Sequence, residues 1–89
     1  MTRDSRSEIY KNFTKKVRDR DKCCRMPNCG SRKSLQVHHI FKWSTYPHLR
    51  YNVDNGITLC AKCHKKIRGC EERWAAVFVR ILQNDSNRH

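Results

Sequence analysis

Four cysteines in two close pairs, Cys24-x4-Cys29 and Cys60-x2-Cys63, constrain this chain more than anything else in it. Their spacing is that of two knuckles that close a tetrahedral thiolate site around Zn(II). At 89 residues the chain is near the size where a metal or disulfides supplement hydrophobic burial, so a single domain stapled by one structural zinc is expected over residues 1–89. Cys23 could stand in for Cys24, but it leaves a five-residue gap to Cys29, beyond the roughly two to four residues usual in such knuckles. Cys24 is therefore preferred. Cys70 lies away from both pairs and reads as a free thiol.

Charge narrows the partners. Lys and Arg number 20 against 8 Asp and Glu, a formal charge of +12. Four thiolates on one zinc would lower it only to roughly +10. Nucleic acid or an anionic membrane suits such a surface. No apolar run approaches the ~18 residues of a bilayer span, and the opening residues Met1 to Ser7 lack the apolar stretch of a signal peptide. A soluble, cytoplasmic chain without membrane contact is expected, and reducing conditions there favour zinc over a disulfide framework.

The flanks read as helices. Ser5-x-x-Glu8 fits a capping box, and Ile9, Tyr10, Phe13 and Val17 share one face of a basic helix over about residues 5–19. Trp74, Val77, Phe78, Ile81 and Leu82 form the apolar stripe of a second helix over about 71–83, a core face rather than a ligand site. The two helices should pack on each other or on the centre, with a polar tail from Asn84 to His89. Between them Leu35 to Phe41 and Gly56 to Leu59 have β character, the second after an Asp54-Asn55-Gly56 turn signal. A helix beginning near Ala61 should stop at Gly69. The loop from Lys42 to Val53 carries Trp43, Tyr46, Pro47, His48, Arg50 and Tyr51, an aromatic and basic mix unusual for a mere connection.

A structural zinc has no use for His38-His39, Asn55 and His64, yet Cys29 and Cys60 bracket the strand-loop-strand unit that holds most of them. Taken singly each has a plain reading. His38 could be a core histidine or a zinc ligand, His39 and His64 surface residues, and Asn55 a turn residue. Lone His48 and His89 read as solvent-exposed. Jointly these residues resemble the HNH endonucleases, in which a His-His step on a strand, an Asn opening the next strand and a His on the following helix are framed, in one branch, by two Cys pairs. The stretch from Tyr46 to His64 looks much like the small stand-alone HNH nucleases of phages and mobile introns, and the resemblance covers about residues 20–69.

The resemblance implies an α+β fold, the small ββα-metal domain with flanking terminal helices. It implies divalent-metal-dependent DNA endonuclease activity that leaves a 5′-phosphate and a 3′-hydroxyl, in a bacterial or phage-infected cell. His39 would be the general base, for which a neutral imidazole with a pKa of about 6.5 is suited. His38 and His64 would hold the catalytic cation, and Asn55 would tie the loop so that the base stays oriented. Many members place a further histidine one turn after the last, where this chain has Arg68. A site with two protein ligands suits Mg(II) or Mn(II), though imidazoles also accept Ni(II) or Zn(II). Arg68, Arg50, Lys42 and Lys65 are candidates for phosphate contacts. A monomer would nick DNA, while a homodimer or a larger nucleoprotein machinery could cut both strands. Because alternate strand residues face opposite ways, the chain should bend or end near Ile40 if His38 and His39 are to serve one phosphate. The alternatives are a non-catalytic, zinc-containing nucleic-acid-binding module and a zinc-stapled protein-interaction domain.

Overall fold

The computed structural model describes the backbone of residues 2–42 and 44–86, and the side chains of residues 8–42 and 44–85. Trp43 and His89, both singled out above, lie outside the described residues. The elements run α1 (Thr2–Asp21), β1 (Leu35–His39), two 3-10 turns (Pro47–Leu49 and Val53–Asn55), β2 (Gly56–Cys60), α2 (Ala61–Lys66) and α3 (Glu71–Ser86). The fold is a small α+β domain in which helices flank an antiparallel hairpin.

Pairing is regular, from Leu35 opposite Cys60 to His39 opposite Gly56. Alternation along the strands then sorts the side chains into two layers. Ile57 and Leu59 point into the main core with Ile40, Ile67, Phe78 and Leu82, while Trp74, Ala75, Val79 and Ile81 pack against it. Phe78 and Leu82 are the most buried of the α3 stripe, as one helical turn separates them. On the other face, α1 lays Phe13 and Val17 against Gly56. The terminal helices thus cover opposite faces of the hairpin, and all five residues of β2 are buried.

One local reading is corrected. Ser5 does not cap α1, because the helix begins at Thr2 and carries Ser5 in its interior. With no Gly or Pro between these residues, nothing forces the start back to Ser5. The turn signal before β2 is met by the 3-10 turn Val53–Asn55, while Gly56 serves closeness. Its φ of −116° is ordinary extended backbone, whereas a Cβ there would stand 2.8 Å from both Phe13 Cζ and Val17 Cγ2. A glycine that does take a left-handed backbone is Gly69, with φ +86°, after α2.

A buried carboxylate pins α1 to the hairpin. Asp21 Oδ2 accepts from the Thr58 amide at 2.8 Å, and its two oxygens also take Arg20 and Arg25. Arg20 in turn donates to the carbonyls of Val53 (3.0 Å) and Gly56 (2.7 Å), and Arg25 reaches Asp85 on α3 at 2.8 Å. Because α1 sits so close to β2, Gly56→Ala is expected to lower unfolding free energy by about 1–3 kcal/mol, the usual cost of overpacking. Chemical denaturation measures it. A neutral or stabilising result, as at unhindered Gly→Ala sites, would show that Phe13 and Val17 yield freely.

Candidate active site and metal centre

β1 and β2 end at opposite ends of the hairpin, β2 at the cysteines and β1 at His39. At one end, the 24–29 knuckle folds back on the hairpin, with the Cys24 amide donating to the Ser31 carbonyl (2.7 Å) and the Arg25 amide to that of Thr58 (2.9 Å). This brings Cys24 and Cys29 to Cys60, the last residue of β2, and to Cys63 in the first turn of α2. The sulfurs of the four lie within 4.8 Å of one another, and no other group of three or more metal-ligating side chains occurs among the described residues. Cys23 and Cys70 stand outside it.

The four thiols fit Zn(II). At a Zn–S length of about 2.3 Å, sulfurs of a tetrahedron are about 3.8 Å apart, and Cys29 and Cys60 Sγ stand 3.9 Å apart. Their electrostatics ask for a cation. The Cys63 amide, donating to Cys60 Sγ at 3.5 Å, pulls the Cys60 thiol down to about 7. Burial pushes the Cys63 and Cys24 thiols up. Four thiolates cannot be held together here without positive charge between them.

Toward the other end of the hairpin lie His38, His39 and Asn55, with His64 reaching the His38 ring from α2. β1 ends at His39 and the chain bends at Ile40 and Phe41, where the bend was expected. Up to that point alternation holds, so the two imidazoles leave opposite faces of the strand. His38 is buried against Phe78, with its ring centroid 5.3 Å from that of His64. His39 turns to α1, stacked on Phe13 at 5.0 Å and on Tyr10 at 6.4 Å. Its Nε2 lies 2.9 Å from the Arg50 carbonyl oxygen. A carbonyl only accepts, so Nε2 carries the proton and Nδ1 is the basic nitrogen.

His38 Nε2 is buried and has no hydrogen-bond partner among the described residues. Burial, reinforced by His64, pulls the His38 pKa down to about 4, so the ring is neutral and its lone pair unprotonated at neutral pH. His64, on α2 directly after Cys63, places Nδ1 2.6 Å from Gln36 Oε1. An orphaned imidazole nitrogen beside a second imidazole is a donor set that fits a divalent cation. Both rings could reach one ion at bond lengths of about 2.1 Å. No carboxylate or third histidine joins them as a ligand cluster among the described residues. Arg68, in the place of a further histidine, is exposed.

Asn55 fastens the loop between the strands. Its Oδ1 accepts from the Phe41 amide (2.8 Å), its Nδ2 donates to the carbonyls of Phe41 (3.2 Å) and Leu49 (3.1 Å), and its own carbonyl takes the Ile40 amide (2.8 Å). Leu49 adjoins Arg50, so the same side chain that closes the loop also seats the carbonyl that holds His39. The bond to the histidine uses the backbone of Arg50, whose side chain is the one expected at a phosphate. Lys42, Lys65 and His48 are exposed, and Phe41 and Tyr46 present a pair of half-exposed rings 5.4 Å apart beside Lys42.

Sequence reasoning overlooked Gln36, although strand alternation alone puts it on the face of His38. It placed Phe13 and Tyr10 on one face of an amphipathic helix, with no signal that they line the His39 ring. Residues 23–68, just over half of the chain, match the family model described as HNH endonuclease. No curated protein and no solved structure matches.

Proposed function

The chain belongs to the HNH endonuclease family, and from that premise we propose that it hydrolyses DNA phosphodiesters with the help of a divalent cation, His39 acting as the general base. The observation that carries this reading is the His39 Nε2 bond to the Arg50 carbonyl, at 2.9 Å. It puts the ring's proton on Nε2 and makes Nδ1 the basic nitrogen, the form a general base needs to take a proton from an attacking water. Phe13 and Tyr10 restrict the tilt of the ring, and Asn55 restricts the loop that carries Arg50. The water oxygen bonds to phosphorus, the bond to the 3′ oxygen breaks, and that oxygen leaves with a proton from solvent. A 5′-phosphate and a 3′-hydroxyl remain.

His38 and His64 would hold the cation, which supplies charge neutralisation at the phosphate and at the departing 3′ oxygen. Mg(II) or Mn(II) suits so ligand-poor a site, and Ni(II) or Zn(II) is compatible with imidazoles. Since His38 and His39 leave opposite faces of β1, the phosphate belongs across the end of that strand, where the chain bends at Ile40. Exposed Lys42, Lys65 and Arg68, with Arg50, would add phosphate contacts and a steep salt dependence. One site acts on one strand, so a single chain would nick.

Supercoiled plasmid incubated with the zinc-loaded protein is expected to convert to the nicked form only when Mg(II), Mn(II) or Ni(II) is added. DNA ligase should then reseal it, since ligase joins only a 5′-phosphate to a 3′-hydroxyl. Persistent supercoiling with every cation, by protein that still binds the plasmid, would point instead to a non-catalytic nucleic-acid-binding module.

A further inference from the structure

We propose that Gln36 is a positioning residue for His64: by accepting the Nδ1 proton it holds the ring in the tautomer whose Nε2 lone pair can bind a divalent cation beside His38. This rests on the reading of His38 and His64 as the ligands of that cation. A neutral imidazole carries its proton on either nitrogen, and in water the Nε2–H form is the more abundant. That form would block the nitrogen left over once Nδ1 faces Gln36. An amide oxygen accepts and never donates, so at 2.6 Å the Nδ1 of His64 must be the donor.

The placement follows from the hairpin. Gln36 and His38 are two residues apart on β1 and share a face. Across the hairpin, Leu35 pairs with Cys60, and α2 starts at the next residue, so the first turn of α2 passes over Gln36. Cys60 and Cys63 belong to the thiolate cluster, which fixes the backbone on which His64 sits. The zinc centre therefore sets where His64 starts, and Gln36 sets how its ring is turned and protonated. Partners that orient a ligating histidine in this way commonly matter about 10–100-fold in metal affinity.

Gln36 is exposed, so its variants should fold. Gln36→Met keeps length and removes the strong acceptor, while Gln36→Glu keeps an acceptor. The full chain, loaded with zinc at its cysteines, would be titrated with Mn(II), which stands low in the affinity order and does not displace zinc from thiolates. Nitrogen NMR at about pH 8, above the ordinary imidazole pKa, reads the His64 tautomer before Mn(II) is added. The expected results are Nδ1–H in wild type and Gln36→Glu, and a shift toward Nε2–H in Gln36→Met with Mn(II) affinity about 10–100-fold weaker. An unchanged tautomer in Gln36→Met overturns the proposal. So does unchanged Mn(II) affinity in Gln36→Met while His64→Ala abolishes binding. If His38→Ala and His64→Ala both bind Mn(II) like wild type, the cation site itself is wrong, and the role of Gln36 falls with it.

Discussion

Replacing His39 with asparagine or alanine is expected to slow DNA cleavage by about 10²–10⁴-fold, the range that a positioned general base contributes. Bound zinc and DNA affinity should be unchanged. The expectation comes from how narrowly the ring is specified. Its Nε2 is committed to the Arg50 carbonyl and its plane is held by Phe13 and Tyr10. In that tautomer Nδ1 is the unprotonated nitrogen, the one the proposed base would use. Because His39→Ala also leaves a gap beside Phe13, whose own exposure is 2%, part of any loss could come from loosened packing. His39→Asn narrows the ambiguity: its amide refills part of the ring's space, though it is too short to reach the Arg50 carbonyl, and it cannot take a proton. Single-turnover cleavage of a defined duplex, with thermal melts and zinc content in parallel, is the measurement. A folded, zinc-loaded His39→Asn that cuts as fast as wild type would remove His39 from the chemistry.

What could be read in advance divides along a physical line. Cys24 was separable from Cys23 by counting, because the ring a knuckle closes around a metal has few workable sizes. The helical stripes and the strand pair follow from periodicities of 3.6 and 2. Closeness between elements left no such trace. Asp54-Asn55-Gly56 has the composition of a turn, yet Gly56 is required by the approach of α1 to β2, and Asn55 closes a loop by bonds to residues 6 and 14 positions away. Asp21 was invisible for the same reason: its amide partner, Thr58, is 37 residues along the chain. Gln36 stands between these cases. Its face was predictable from alternation, but its partner was not, since His64 reaches it only after the cysteines have placed α2.

Removing zinc is expected to unfold the protein rather than merely to inactivate it. Structural zinc in small domains binds with about 10–16 kcal/mol of apparent free energy, against a net stability of about 5–15 kcal/mol for a typical domain. Apart from the bonds of Arg25 and the burial of Ile67, the 24–29 knuckle and α2 lean on the cysteines. α2 is 6 residues long, too short to persist alone, and four of the ten buried residues of the main core cluster are the cysteines or neighbours they anchor: Cys24, Cys60, Cys63 and Met26. In circular dichroism the protein stripped of metal by a chelator should lose its cooperative melt and regain it with one equivalent of zinc. Cys63→Ser should behave like the stripped protein, and Cys23→Ser and Cys70→Ser like wild type, since neither sulfur belongs to the cluster. Acid should act in the same direction. Binding needs thiolates, and burial pushes Cys24 and Cys63 up while Cys60 sits at about 7, so zinc displaces protons and is lost as pH falls. A verified metal-free protein that still melts cooperatively near the holo temperature would mean that the hairpin and its helices carry the fold. Zinc would then be needed only to hold His64 in place.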